Sequence, residues 1–297
     1  MQTVGVVIVT FNSSRVIGRL LDALQAQSHL PNHIVVVDNN STDDTVAQVA
    51  TYKNLPISVV ALPDNKGGAG GFYHGLQKIL QYPVTTIFTF DDDCYPKDST
   101  FIAQMLESKQ ANRLDVLCPL VVDVANPTLS AYQYHKQTQV SSICQTPIIT
   151  DIKLFNGVAF DRAVIDTLEG PKPEFFIRGD EEEFKQRIVQ QGYSYATDTR
   201  AIVYHPSSLN EYVQYNNRRY HHHDTPFKLF YSTRNRFYLL KIRRDISAIT
   251  KVKRLISEFW RYTHFYLWHK KDVQAYRVWL QAYLFGLAGY MNNSYYR

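Results

Sequence analysis

The chain contains the run Val84-Thr-Thr-Ile-Phe-Thr-Phe90, followed directly by Asp91-Asp92-Asp93. The apolar, β-branched and aromatic run predicts a buried strand. Three carboxylates directly after such a strand repel one another unless a cation lies beside them. Clustered oxygen ligands suit a hard divalent ion such as Mg²⁺ or Mn²⁺, which in turn suits a diphosphate. Taken alone, the triplet is explained equally well as a solvated acidic turn.

The composition is that of a globular protein with a large core. The chain has 297 residues, 45% of them hydrophobic and 13% aromatic, enough for one large α/β domain with or without an appendage. Cys94, Cys118 and Cys144 are widely spaced and form no CxxC pair, which favours a reducing compartment over a disulfide framework or a zinc site. We find neither a basic leader segment nor an apolar run of the roughly 18 residues that span a bilayer. We therefore expect a cytoplasmic protein, soluble or peripheral on the membrane.

The charge is unevenly distributed along the chain. Residues 225–297 contain 14 Lys and Arg against 3 Asp and Glu, a net charge of +11, whereas residues 1–224 carry −6. Such a split indicates that the two parts meet different partners. We predict a nucleotide-binding and catalytic domain over residues 1–225 and a basic, aromatic helical region over residues 226–297.

Strands and helices alternate in the first half of the chain. Apolar runs predict strands at 4–10, 34–37, 57–62 and 84–90, with helical periodicity between them at 16–27, at 70–80 and towards Tyr52. This alternation predicts a Rossmann-like, mostly parallel central sheet flanked by helices. Further along, we expect a strand at 152–160, a helix at 180–191 and a strand pair at 193–196 and 200–204.

Polar clusters follow the four predicted strands where each one ends. They are Thr10-Phe11-Asn12, Asp38-Asn39-Asn40-Ser41, Asp64-Asn65-Lys66-Gly67-Gly68 and Asp91-Asp92-Asp93. Because open parallel sheets bind ligands at the carboxyl ends of their strands, the clusters together predict a nucleotide-type site.

Each of these motifs has a structural interpretation beside the functional one. The glycines at 67–71 let backbone approach a ligand at a helix N-terminus, but a tight turn with close helix packing explains them more simply. They fit neither the GxGxxG fingerprint nor the Walker A loop. Asp38 is placed to accept hydrogen bonds from a base or a ribose, or to cap the next helix, and on this residue alone we favour the cap.

A second acidic group and a histidine follow later in the chain. Residues 180–183 read Asp-Glu-Glu-Glu, which describes either a solvated helix start or a general base for an acceptor hydroxyl. The apolar residues 175–177 before it suggest a semi-buried setting that raises a carboxyl pKa. His205 ends an apolar run and is either structural or, with the aspartates, a ligand for an ion such as Mn²⁺.

The carboxy-terminal region predicts two or three amphipathic helices from Pro226 onward. Their basic residues and Trp260, Trp268 and Trp279 as interfacial anchors suit an anionic membrane surface. Packing on the protein itself or on a second copy of the chain is the alternative, and we favour the membrane because +11 exceeds what packing requires. We expect no nucleic-acid partner, since no RRM, KH or helix-turn-helix pattern appears.

Taken in order, the motifs resemble the inverting family 2 glycosyltransferases with the GT-A fold, and most of all their galactofuranosyltransferase and rhamnosyltransferase branch. The resemblance extends over residues 1–240. Besides the strand-end clusters it rests on Phe155-Asn156-Gly157-Val158-Ala159-Phe160, Phe175-Phe176-Ile177-Arg178-Gly179-Asp180-Glu181 and Tyr204-His205. A late pair, Arg234-Asn235, also matches related chains, without a role that the sequence reveals.

The resemblance implies a nucleotide-sugar donor, a glycan or lipid-linked acceptor, and Mn²⁺ or Mg²⁺ as cofactor. For the donor it implies Thr10, Asn12, Asp38, Asn65, Gly67, Gly68, Asp91 and Asp92. It implies that Asp91, Asp93 and His205 are the metal ligands. It also implies that Asn156 and Gly157 bind the acceptor. It places the catalytic base at Glu181, where an aspartate is usual, with Asp180 as the alternative. UDP-galactofuranose is the first expected donor and dTDP-rhamnose the second, while a non-catalytic nucleotide-sugar-binding protein is a further reading.

Overall fold

The computed structural model describes residues 2–207, 212–221 and 225–292. The chain forms two compact units, one of Met1–Pro173 with Phe184–Leu209 and the other of Glu174–Glu183 with Asn210–Arg297. The short segment 174–183 therefore belongs with the carboxy-terminal part of the chain, although the sequence on either side of it belongs to the first unit.

Eleven strands form the sheet of the first unit, as far as its residues are described. They are β1 Val4–Thr10, β2 His33–Asp38, β3 Ile57–Ala61, β4 Thr86–Asp91, β5 Tyr95–Pro96, β6 Val116–Asp123, β7 Leu129–Tyr134, β8 Gln137–Gln139, β9 Ile148–Ile149, β10 Val158–Asp161 and β11 Tyr195–His205. The helices up to this point are α1 Ile17–Gln25, α2 Thr45–Val49, α3 Gly67–Ile79, α4 Phe101–Ala111, α5 Val140–Ile143, α6 Arg162–Leu168 and α7 Asp180–Gln190, which begins in segment 174–183.

The sheet is mostly parallel, as the sequence predicts. Its strands follow the order β3-β2-β1-β4-β10-β6-β11-β5, with β1 to β4 all parallel. β10 inserts antiparallel between β4 and β6, and β11 runs parallel to β6. The predicted α/β class with a Rossmann-like sheet is confirmed.

The core of the first unit lies on both faces of this sheet. β1 is buried along its whole length, and its side chains alternate between two apolar clusters, with Val6 and Ile8 in one and Val7 and Val9 in the other. Continuous apolar strands are expected where helices cover both faces of a parallel sheet.

Two predicted strands differ from the structure. Within 152–160 only the end of the segment is a strand, because the backbone turns at Phe155 and Gly157, which have φ of 70° and 76°. The predicted strand pair at 193–196 and 200–204 is instead the single strand β11. Its register against β6 shifts between Asp198 and Ile202, and this irregularity interrupts the apolar pattern without ending the strand.

The second unit is helical and rich in aromatic residues. Its elements are β12 Tyr212–Tyr215, β13 Arg218–His221, α8 Pro226–Ile242, α9 Ala248–His264 with a π-helical continuation at Phe265–Lys270, and α10 Val273–Ala288. Trp260 and Trp268 are 66% and 62% exposed, but Trp279 is 1% exposed within the aromatic core. The prediction of Trp279 as an interfacial anchor is therefore wrong, because its ring fills the core on α10. Within the described residues, no helix has the length and apolar character needed to cross a membrane.

Candidate active site

The carboxyl ends of β1, β2 and β4 bring three predicted site residues side by side. In the parallel register Thr10 is opposite Asp38, and Val9 is opposite Asp91. Thr10 and Asp38 are buried, whereas Asp91 is half-buried. Residues separated by up to about eighty positions in sequence thus share one edge of the sheet, as expected for a topological switch point.

The loops after β1 and β2 are hydrogen-bonded to each other. The Asn12 backbone N–H donates to Ser41 Oγ at 2.9 Å, and Asn12 Oδ1 accepts from the Thr42 N–H at 2.8 Å. Both Asp38 carboxylate oxygens lie 3.2 Å from the Ser41 N–H. Asp38 therefore stabilises its own loop rather than capping α2, which begins at Thr45. Asn12 and Asn40 have positive φ, a conformation that asparagine tolerates better than most residues.

Asp92 is held by the loop after β1. Its Oδ2 accepts a hydrogen bond from the Phe11 N–H at 3.1 Å and another from the Ser13 hydroxyl. Burial raises the pKa of Asp92, and the neighbouring Asp93 charge adds to the effect against the hydrogen bonds that Asp92 accepts. Of the triplet, Asp92 thus links β4 to the β1 loop.

Asp93 and His205 meet because β5 pairs with the end of β11. Tyr95 is opposite Tyr204 in this antiparallel pairing, and His205 Nε2 lies 3.3 Å from Asp93 Oδ1. The imidazole is largely buried, and the ring of Tyr132 stacks on it with centroids 5.7 Å apart. No hydrogen-bond partner for His205 Nδ1 is found in the part of the chain that the structure describes.

The Asp93–His205 pair fits a divalent ion that shares its ligands with a diphosphate. No cluster of three or more His, Cys, Asp or Glu side chains suited to a metal is present among residues 2–207, 212–221 and 225–292, and the ligand set Asp91, Asp93 and His205 stays a prediction. Mg²⁺ is commonly held by one or two protein groups together with phosphate oxygens and water, and an imidazole nitrogen also suits Mn²⁺. One carboxylate and one imidazole are therefore chemically compatible with such an ion.

The predicted acceptor residues Asn156 and Gly157 precede β10. Asn156 is 3% exposed, and its Nδ2 donates to the Tyr132 hydroxyl at 3.2 Å. Its Oδ1 is buried without a hydrogen-bond partner among the described side chains and backbone. A Cβ on Gly157 would lie 2.9 Å from Val203 Cγ1, so both packing and the positive φ require glycine there.

Tyr132 is a further candidate site residue, which sequence reasoning missed. Through its hydroxyl it contacts Asn156 and through its ring His205, so it connects the predicted acceptor and metal residues. Its only sequence signal is an aromatic side chain in the polar segment 125–150, which is too weak to distinguish it from its neighbours.

The glycine cluster combines both interpretations that the sequence left open. Gly67 has φ of 70° and starts α3, and its N–H donates to Asn65 Oδ1 at 2.7 Å. A Cβ on Gly71 would lie 2.4 Å from Val9 Cγ1, so this glycine permits the helix to pack closely on β1. A Cβ on Gly68 would meet nothing within 4 Å. Gly71 therefore serves packing, while Gly68 leaves open space at the helix N-terminus.

In the second unit, the predicted base residues occupy the first turn of α7. Asp180 is buried and Glu181 is exposed. The backbone before them is strained at two residues, with φ of 65° at Phe176 and 68° at Arg178, while Gly179 has φ of 83°, which glycine adopts without strain. Positive φ at a bulky residue is rare and is found where the surrounding structure enforces it, often at functional sites.

The chain belongs to glycosyl transferase family 2, whose family model matches residues 5–163. Among curated relatives, the galactofuranosyltransferase GlfT1 of Mycolicibacterium smegmatis is 28% identical over 294 residues, covering 94% of this chain and 95% of that one. The O-antigen chain rhamnosyltransferase RfbN of Salmonella typhimurium is 26% identical over 213 residues, covering 67% of this chain and 65% of the other.

Solved structures share the fold. S. aureus TarS 1–349 matches with a TM-score of 0.61 and 18% identity, covering 98% of this chain and 82% of that one. The mannosyltransferase PcManGT from Pyrobaculum calidifontis, in complex with GDP-Man and Mn²⁺, matches with a TM-score of 0.58 and 16% identity over 96% and 86% of the two chains. These matches confirm the GT-A fold that the motifs predict.

Proposed function

We propose that this family 2 glycosyltransferase is an inverting enzyme that moves galactofuranose from UDP-galactofuranose onto a hydroxyl of a glycan or lipid-linked acceptor. The observation that carries the mechanism is the Asp93–His205 pair beside the strand ends that hold Asp38 and Asp91. The choice of sugar is supported by the match to GlfT1 along nearly the full length of both chains. A dTDP-rhamnose donor is the second candidate, supported by the shorter match to RfbN.

The donor is assigned to the carboxyl edge of the sheet. Thr10, Asn12 and Asp38 would contact the nucleoside, and their bonded loops need little reordering when it binds. The backbone at Gly67 and Gly68 would face the diphosphate, because the N-terminus of α3 offers N–H groups and partial positive charge.

A divalent ion completes the proposed donor site. Asp93 and His205 would hold it, with Asp91 near the ribose or the sugar. When bound, Mn²⁺ or Mg²⁺ offsets charge that develops on the departing diphosphate. The Mn²⁺ in PcManGT, which shares the fold, supports this assignment.

Transfer requires one displacement at the anomeric carbon. Glu181 or Asp180 removes the proton of the acceptor hydroxyl, whose oxygen bonds to the anomeric carbon. The bond from that carbon to the diphosphate oxygen breaks, and UDP departs with the electron pair. A single displacement inverts the anomeric configuration. A non-catalytic sensor would bind the donor without this step.

Calorimetric titration of UDP and dTDP, with and without Mn²⁺, tests the proposed donor site. We expect metal-dependent UDP binding that is lost in Asp93→Ala and kept in Asp166→Ala, which removes a half-exposed carboxylate elsewhere in the first unit. Preference for dTDP would move the donor towards rhamnose. Failure of a folded sample to bind either nucleotide would contradict the proposal.

We further propose that α9 contacts the anionic inner face of the cytoplasmic membrane. Ile249, Val252, Ile256 and Trp260 follow helical spacing and are all more than half exposed; we call them the α9 apolar stripe. Lys253 lies beside it, in a region of net charge +11. An exposed apolar face with basic neighbours is typical of helices that lie in a lipid interface.

Vesicle co-sedimentation distinguishes a membrane from a second copy of the chain on the stripe. We expect binding to phosphatidylglycerol vesicles and not to phosphatidylcholine vesicles, weakened by Ile256→Gln. Val46→Ser, at an exposed apolar residue of the first unit, serves as control. If Ile256→Gln instead converts a dimer to a monomer in gel filtration, the stripe is a subunit contact and the membrane proposal fails.

A further inference from the structure

Two consecutive polar residues of α8 are buried within the second unit. Arg234 is 0% exposed and Asn235 is 1% exposed. Burying an arginine or an asparagine costs free energy unless its polar atoms are hydrogen-bonded. The hydrogen bonds of the two side chains therefore indicate which part of the structure they stabilise.

Asn235 is bonded to the segment that leads into α7. Its Nδ2 lies 2.8 Å from the Phe175 carbonyl oxygen, 2.9 Å from that of Ile177 and 2.7 Å from that of Arg178. An amide has only two N–H hydrogens, so three acceptors at these distances use its donor capacity completely. These bonds join positions almost sixty residues apart in sequence.

Arg234 reinforces the same segment. Its Nε donates to Asn235 Oδ1 at 2.9 Å, which orients the amide so that Nδ2 faces the carbonyls. Its Nη2 donates to the carbonyl oxygens of Glu174 at 2.7 Å and Phe175 at 3.2 Å. Burial lowers the pKa of Arg234 to about 10, so the guanidinium stays protonated at neutral pH.

The bonded carbonyls surround the strained backbone before the base candidates. Phe176 and Arg178 both have positive φ, which is unfavourable for residues with large side chains unless the surroundings compensate. Gly179 also has positive φ, and a Cβ there would lie 3.1 Å from Leu239 Cδ1 and 3.4 Å from Asn235 Cβ. α7 begins at the next residue, Asp180.

We propose that Arg234 and Asn235 are positioning residues, which fix the strained segment 174–179 and so orient the carboxylates of Asp180 and Glu181 for proton removal. This inference rests on the proposed transferase function. The residues assigned to the donor all belong to the first unit, whereas the pair bonds the segment before the base candidates in the second unit. We therefore expect the pair to act on the acceptor step and not on nucleotide binding.

The test compares Asn235→Asp with a control on the same helix. Asn235→Asp keeps the size of the side chain and the oxygen that accepts a hydrogen bond from Arg234. It replaces the NH₂ group that donates to the three carbonyl oxygens. Arg236→Lys is the control, because Arg236 lies on the same helix and bonds Glu258 and Tyr262 of α9. For Asn235→Asp we expect kcat to fall about 10- to 100-fold, as for a displaced catalytic group. The donor KM and the calorimetric UDP affinity should stay within about twofold.

Hydrogen exchange provides the second readout. We expect faster exchange of the amides of 176–183 in Asn235→Asp and not in Arg236→Lys. Arg234→Lys keeps the charge but loses the paired guanidinium donors, and it should give an intermediate kcat.

The inference is overturned if Asn235→Asp lowers kcat no more than the control does, or if it weakens UDP binding as much as it lowers kcat. The first result would mean that the pair does not orient the carboxylates, and the second would mean that it has a general structural role. Absence of transfer by the wild-type protein would instead remove the proposed function, and the positioning role with it.

Discussion

The two units fix their polar groups by different means. In the first unit, the register of β1, β2 and β4 sets Thr10, Asp38 and Asp91 side by side. In the second unit, the buried side chains of Arg234 and Asn235 hold the backbone before α7. A strand-end site is thus built from repeated backbone geometry, whereas segment 174–179 depends on two particular side chains. The first arrangement can be inferred from local sequence patterns and the second cannot.

We expect the greatest loss of activity when the catalytic base is replaced, and this loss distinguishes Asp180 from Glu181 as the base. Either Asp180→Asn or Glu181→Gln should lower kcat by about 10²- to 10⁴-fold, the usual contribution of a general base. Steady-state transfer assays on both variants identify which one acts, and UDP binding should be unchanged because neither residue belongs to the donor site. If both variants keep the wild-type rate, the base lies elsewhere.

A double-mutant cycle tests whether Asp93 and His205 serve one shared role, the binding of a single ion. Asp93→Asn and His205→Gln should each lower kcat/KM by about 10²- to 10³-fold, the cost of losing charge stabilisation at the leaving group. Since both would hold the same ion, the double variant should be little worse than either single one. Rates are measured over a Mn²⁺ titration. Fully additive losses would indicate two independent roles.

Gly71 and Gly68 of α3 have different roles, packing and ligand approach, so their replacement by alanine should affect stability differently. Gly71→Ala should lower the free energy of unfolding by about 1–3 kcal/mol, because its Cβ would overlap Val9. Gly68→Ala should leave stability unchanged or raise it slightly, since alanine is the better helix former and nothing lies within 4 Å. Urea unfolding measures both. Equal destabilisation by the two changes would contradict this division of roles.

We expect only a weak effect on stability from Asp198, which lies in the irregular part of β11. Burial disfavours the charged form of Asp198, but hydrogen bonds from Arg200 and Ser108 outweigh it and hold the pKa of this carboxyl below its ordinary value. Asp198 therefore stabilises the fold above the unfolded-state pKa of about 3.9, and this contribution is lost as the pH falls through the lower folded-state pKa.

Urea unfolding at pH 5 and at pH 3 measures this loss. Asp198→Asn should lose less stability between the two pH values than the wild-type protein does. Asp166→Asn, at a half-exposed carboxylate, should behave like wild type. An unchanged pH dependence in Asp198→Asn would mean that the carboxyl is not preferentially charged in the folded state.

Sequence patterns predicted the strands and helices in which apolar residues recur at a regular spacing. β1 matches its predicted bounds, and β2 to β4 and α3 lie within a few residues of theirs, because their apolar residues alternate or recur helically. The failures at Phe155–Gly157 and at Asp198 are places where a turn or an irregular register interrupts a continuing apolar pattern. Tyr132 was missed because its partners, Asn156 and His205, are far away in sequence.

The amino-acid pattern was enough to predict the family, the parallel sheet and the strand ends that carry the candidate donor site, because strand periodicity and parallel topology bring those ends together. The folded chain was needed to find that segment 174–183 belongs with the carboxy-terminal unit and that Arg234 and Asn235 bond its backbone. Side-chain bonds to backbone carbonyls need no particular residue at the accepting position, so they leave no pattern in the sequence of the segment that they fix.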